Sequence, residues 1–221
     1  MKVIQNLVPA SKYSIKCPHP MTPEFIVVHN TANDASARDE IAYMIRNNAQ
    51  VSFHYAIDDK EIVQGIPENR NAWHAGDGAN GQGNRKGIGI EICYSKSGGK
   101  RFEEAEKLAA KFTAYKLYEK GWGIDKVKKH QDFSGKYCPH RTLDMGWQRF
   151  LDMVKSELDK LKGADKVTDK NTPSSWAKEA WEWAIKEGIT DGTNPQGAIT
   201  REQVVTMLYR FFQLLMKVLG K

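Results

Sequence analysis

Apolar positions recur along the chain in two rhythms. Phe25-Ile26-Val27-Val28 is a short unbroken apolar run ended by His29-Asn30-Thr31, as expected of a buried strand. Val51 to Ile57 alternates and then meets Asp58-Asp59-Lys60, a hairpin signal leading into a second strand over 61–66. Over 87–94, Ile88, Ile90 and Ile92 share one face of a strand, and Gly89, Glu91 and Cys93 share the other. The helical rhythm appears at 37–48 through Ile41, Met44 and Ile45, and at 102–120, where Gly121 ends it. It returns at 143–161, where Trp147, Phe150, Leu151, Val154 and Leu158 fall on one side. Strands covered by amphipathic helices predict an α/β or α+β body.

Three stretches depart from these rhythms. Residues 1–24 carry Pro9, Pro18, Pro20 and Pro23 and are expected to wrap the body as irregular chain or short edge strands. Residues 72–85 are rich in Gly and Asn and are read as a loop, although they contain Trp73 and His74. Residues 163–172 are polar and charged, a linker to a separate unit at 173–221. That unit opens with a helix carrying Trp176, Ala180, Trp183 and Ala184 and closed by Gly188; a second helix starts near Thr200. The last helix is apolar over a broader face than one partner helix needs, which predicts docking or self-association. Arg210, Gln213 and Lys217 interrupt it, so no transmembrane segment is expected.

Composition narrows the function. With 40% hydrophobic and 27% charged residues, the 221-residue chain reads as folded. A net charge of +6 favours an anionic partner, and no clustered Lys/Arg interleaved with aromatics points to nucleic acid. Three cysteines, Cys17, Cys93 and Cys138, do not make a disulfide framework. Residues 1–9 lack the apolar core and cleavage site of a signal peptide, which predicts synthesis in the cytoplasm and action elsewhere after release.

Candidate chemistry centres on His130-Gln131-Asp132-Phe133-Ser134-Gly135-Lys136-Tyr137-Cys138. Imidazole and thiolate are ligands Zn²⁺ prefers, and a compact loop can bring both to one ion. His29, at the end of its strand, is the third candidate, and three ligands leave one position open for water. Taken singly, each is more often a packing residue than a ligand. On the strand at 87–94, Glu91 is an expensive carboxylate to bury without a purpose.

Five segments change the weighting: Val27-Val28-His29-Asn30-Thr31, Val51-Ser52-Phe53-His54-Tyr55, Ala72-Trp73-His74-Ala75-Gly76, Gly87-Ile88-Gly89-Ile90-Glu91-Ile92, and Lys136 to His140. In that order they resemble the zinc-dependent N-acetylmuramoyl-L-alanine amidases of the type-2 family, which includes phage endolysins and peptidoglycan-recognition proteins. The resemblance covers residues 1–162. It implies an α/β fold, a central mixed β-sheet flanked by helices, and Zn²⁺ held by His29, His130 and Cys138. It further implies Glu91 and Lys136 as catalytic groups, and substrate contacts from His54, Trp73 and His74. Peptidoglycan would be the substrate and host lysis as an endolysin the role. The alternative is a non-catalytic peptidoglycan-binding module of the same fold, against which the presence of Cys138 counts. Residues 173–221 resemble a single S-layer homology motif, whose family role is binding secondary wall polysaccharide.

Overall fold

Among the described residues, 1–166 and 172–220 of a computed structural model, six strands form one mixed sheet. They are β1 (Ile4–Gln5), β2 (Phe25–Asn30), β3 (Tyr55–Ile57), β4 (Ile62–Gln64), β5 (Gly87–Ile92) and β6 (Val127–Lys129), in the spatial order β1-β4-β3-β5-β2-β6. The helices are α1 (Tyr13–Lys16), α2 (Ala37–Arg46), α3 (Gln82–Lys86), α4 (Gly99–Glu119), α5 (Gln131–Ser134), α6 (His140–Asp144), α7 (Trp147–Lys166), α8 (Lys178–Lys186) and α9 (Arg201–Val218). The chain divides into two compact units, Met1–Lys162 and Gly163–Lys221. Half of the predicted linker at 163–172 falls on residues 167–171, which lie outside the described residues.

The first unit is built around β2. It pairs in parallel with β5 on one side and β6 on the other, and Ile26, Val27 and Val28 are fully buried. A strand enclosed on both faces needs no alternation, which explains the unbroken apolar run. The β3–β4 hairpin is the one antiparallel pairing in this sheet. Its turn is held by Asp58, whose Oδ1 accepts from the Lys60 and Glu61 amides at 2.8 and 2.9 Å. Helices close the core with Ile41 and Met44 from α2, Phe102, Phe112 and Leu117 from α4, and Phe150, Val154 and Leu158 from α7.

Two expectations change here. The single helix predicted over 143–161 is split into α6 and α7, because Gly146 takes a left-handed φ of 102° and turns the chain between them. The N-terminal wrap supplies the expected short edge strand, β1, and adds the helical turn α1, which was not expected. Lys12 Nζ donates to the Ile45, Arg46 and Asn47 carbonyls at 2.6, 2.8 and 3.3 Å, satisfying orphan acceptors at the end of α2. Lys16, fully buried, donates to Asn47 Oδ1, the Ala49 carbonyl and the Val51 carbonyl at 2.9, 2.6 and 3.1 Å.

In the second unit a 3₁₀ turn at Ser175–Ala177 leads into α8, and Gly188, with φ of 70°, follows its end. A capping box opens α9: Gln203 N–H donates to Thr200 Oγ1, and Thr200 N–H donates to Gln203 Oε1. Trp176, predicted on the apolar side of the first helix, is 88% exposed, and Val205, Leu208 and Phe212 of α9 are also exposed. No helix among the described residues is long and apolar enough to cross a membrane.

A polar knot ties β3 to α4. Glu68 accepts from Tyr55 Oη at 2.7 Å and pairs with Lys116 and Lys120, each at 2.9 Å. Burial acts to raise the Glu68 pKa, but hydrogen bonds from Lys120, Lys116 and Tyr55 override it and hold the carboxyl at about 2. The unfolded chain therefore takes up this proton first. The stabilisation is full above pH 4.5 and is lost as pH falls through 4.5 toward 2. Urea unfolding should show wild type losing about 2–3 kcal/mol across that window from this group, with the loss absent in Glu68→Gln.

Candidate active site

The register of the three parallel strands assembles the site. His29 lies opposite Glu91 on the neighbouring strand, and His130 follows β6 directly, one residue beyond the Val28–Lys129 pair. All three side chains thus stand at the carboxyl ends of adjacent parallel strands, where α/β sheets place their ligand sites. Cys138 is returned to this edge by α5 and Gly135, which takes a φ of 73°, and by a hydrogen bond from the Gln131 amide to the Cys138 carbonyl at 3.0 Å. Asn30 then grips the chain beyond: its Oδ1 accepts from the Arg141 and Thr142 amides at 2.9 and 3.2 Å, the first turn of α6.

Three donor atoms converge. His29 Nδ1 lies 3.0 Å from His130 Nδ1 and 3.9 Å from Cys138 Sγ; a ligand atom from each residue falls within 4.8 Å of the others, and all three residues are buried. Two imidazole nitrogens facing each other at 3.0 Å call for a proton or a cation between them. Burial pushes His29 well below its usual pKa, helped by His74, His130 and Lys136. Burial and Lys136 bring His130 to about 4, and burial with Glu91 raises the Cys138 thiol to about 11. The set is therefore two neutral imidazoles and one thiol, a donor chemistry that fits a divalent cation of the zinc type. Cys17 and Cys93 are also free and buried but stand outside the cluster.

The cluster opens into a cleft of about 590 Å³ whose lining includes Asn30, Gln50, Val51, Trp73, Gly76, Glu91 and Lys136. Glu91 Oε2 is sealed from solvent and has no hydrogen-bond partner. Burial and the nearby Glu40 raise its pKa to about 8, against the opposing pull of Lys136. Lys136 is exposed on the rim, and its charge acts on His29, Glu91, His130 and Cys138 alike.

The three expected substrate contacts separate. His54 departs from that expectation, being fully buried: its Nδ1 accepts from the Gly89 amide at 2.9 Å and its Nε2 donates to the Arg70 carbonyl at 3.0 Å. Both nitrogens are committed to backbone, so none is left for substrate. Trp73 is 8% exposed; its Nε1 donates to the Ile15 carbonyl at 2.9 Å, so the ring mainly anchors the loop while lining the cleft. His74 is buried behind His29, its Nδ1 3.0 Å from His29 Nε2.

The glycine-rich loop at 72–85 is more ordered than its composition predicts. Asn84 Oδ1 accepts from the His74 and Ala75 amides, both at 2.8 Å, and Asp77 accepts from the Gly83 and Asn84 amides at the start of α3. Asn30, Asp77 and Asn84 were not singled out by sequence reasoning. Their one signal is a short amide or carboxylate side chain beside a turn or helix start.

A family profile described as N-acetylmuramoyl-L-alanine amidase matches residues 19–141. The N-acetylmuramoyl-L-alanine amidase CwlA of Bacillus subtilis (strain 168) is 52% identical over 216 residues, covering 95% of this chain and 78% of that protein. The solved structure of PlyL is 52% identical with a TM-score of 0.69, covering 71% of this chain and 99% of that one. A solved mutant endolysin from Bacillus subtilis is 38% identical with a TM-score of 0.64, covering 70% and 99%. The mixed sheet with its flanking helices is the fold these neighbours share. The profile match, the identity along nearly the whole chain and the shared fold agree: the chain belongs to the N-acetylmuramoyl-L-alanine amidase family and is an enzyme of that family.

Proposed function

We propose that the chain hydrolyses the amide between N-acetylmuramic acid and L-alanine of peptidoglycan in a zinc-dependent reaction, with His29, His130 and Cys138 holding the metal. The observation that carries this reading is the convergence of those three donors beside an unpartnered carboxylate in one cleft. Bound there, Zn²⁺ supplies Lewis acidity toward water and the scissile carbonyl. Glu91 acts as the general base, taking the water proton on its carboxylate and later releasing it to the leaving amine. A carboxyl whose pKa is raised toward neutrality is a stronger proton acceptor once ionised, which matches it to this task. Lys136 places a positive charge beside the carbonyl oxygen as that atom turns negative. Trp73 forms part of the wall against which the substrate lies.

Peptidoglycan is a large, fixed substrate, and the likeness to a solved endolysin supports a role as a phage lysin. Residues 173–221 form a unit separate from a catalytic unit at 1–162, with a role in secondary wall polysaccharide binding or self-association; the exposed apolar residues of α9 favour self-association.

Incubation with purified sacculi should release new L-alanine amino termini; a chelator should stop the release and added zinc restore it. Glu91→Gln and Lys136→Ala should each retain zinc while turnover falls about 100-fold or more, the loss expected when a general base or a charge-stabilising donor is removed; near wild-type release in either variant removes that residue from the mechanism. Residues 1–162 alone should cleave soluble muropeptide at the full-length rate yet sediment less with sacculi. Equal sedimentation would deprive the tail of its wall role.

A further inference from the structure

A column of imidazoles stands behind His29, and the proposed reaction uses none of it. His74 Nε2 lies 3.2 Å from the Gly87 carbonyl, which can only accept, so His74 carries its proton on Nε2. Its Nδ1 is then a bare acceptor, 3.0 Å from His29 Nε2, and His29 must donate from that nitrogen. What remains on His29 is a lone pair on Nδ1, the atom that faces His130 Nδ1 and Cys138 Sγ. Both rings are buried and neither has a carboxylate among its hydrogen-bond partners, so the alternation of donors and acceptors follows from the contacts themselves.

The surroundings hold His74 in place. His54, fixed by the Gly89 amide and the Arg70 carbonyl, packs edge-on against it with ring centroids 6.0 Å apart. Gly89 of β5 leaves the space the ring occupies: a Cβ there would come within 2.8 Å of His74. The His74 amide is anchored in turn by Asn84 Oδ1.

We propose that His74 is a positioning residue, which fixes His29 as the Nε2–H tautomer and so aims the Nδ1 lone pair at the metal. The proposal rests on the reading of His29, His130 and Cys138 as the metal set. Ligating histidines characteristically donate their second nitrogen to an acceptor, and removing that acceptor weakens metal affinity about 10- to 100-fold. Here the acceptor is a second imidazole, itself oriented by backbone.

The test uses the full-length protein labelled with ¹⁵N at histidine. Nitrogen–proton correlation spectra of the metal-free form report which ring nitrogen of each histidine carries hydrogen, and chelator competition gives the zinc Kd. Wild type should show His29 protonated on Nε2. His74→Phe, which keeps a ring and loses the acceptor, should lose that signature and bind zinc about 10- to 100-fold more weakly. His74→Asn, with an amide oxygen near the position of Nδ1, should stay close to wild type. Gly89→Ala, which crowds the ring without removing it, should weaken zinc in the same direction as His74→Phe. Should His74→Phe fail to fold by circular dichroism, the Asn and Gly89→Ala variants decide the matter. Wild-type zinc affinity in the folded Phe variant, or wild-type His29 protonated on Nδ1, overturns the proposal. Failure of wild type to bind zinc would overturn the ligand reading instead, while the spectra still decide whether His74 fixes the tautomer.

Discussion

The parallel pairing of β2 with both β5 and β6 is the constraint on which the site depends. Pairing sets His29 opposite Glu91 and brings His130 to the same edge, so three functional side chains from segments far apart in sequence share one end of the sheet. A slip of one residue in either ladder would turn a side chain to the opposite face. The polar end of β2 resists such a slip, because Asn30 would lose the Arg141 and Thr142 amides of α6.

Around this edge the chain assembles donors that carry no charge at neutral pH. Neutral imidazoles and a protonated thiol can be buried at moderate cost, whereas a fixed charge would need a partner. Glu91 follows the same logic from the other direction, since a carboxyl with a sealed, unpartnered oxygen gains protons more readily than one in water. The polar groups around them are spent on backbone. Asn30, Asp77 and Asn84 satisfy amides at helix starts and turns, and so convert loops rich in glycine into supports for His74 and Cys138.

Much of this was legible in the sequence where a local pattern carries the information. An apolar run ending in His29 marked β2, and alternation at 87–94 put Glu91 on one face with Gly89. The stretch from His130 to Cys138, together with the order of five motifs, brought His29, His130, Cys138 and Lys136 into one reading. Other features depend on contacts that no local pattern encodes. Alternation at 51–57 could not show that His54 has both nitrogens bonded to backbone, nor could composition show that α3 is held by Asp77. The break at Gly146 hinged on a left-handed φ inside a stretch whose apolar spacing is otherwise continuous. Trp73, expected as a substrate contact, lines the cleft and also anchors its loop through the Ile15 carbonyl.

Lys12 and Lys16 give the first helical turns of the chain a part in the shape of the cleft. Their ammonium groups gather the carbonyls at the end of α2 and of the strap that follows it, and that strap carries Gln50 and Val51 into the cleft. The groove thus has a flank whose shape is dictated from a distant leading stretch, without a carboxylate between them. Exchange of that stretch would remould the flank while leaving His29, Glu91, His130 and Cys138 in place, so the outline of the cleft can change independently of the donor cluster.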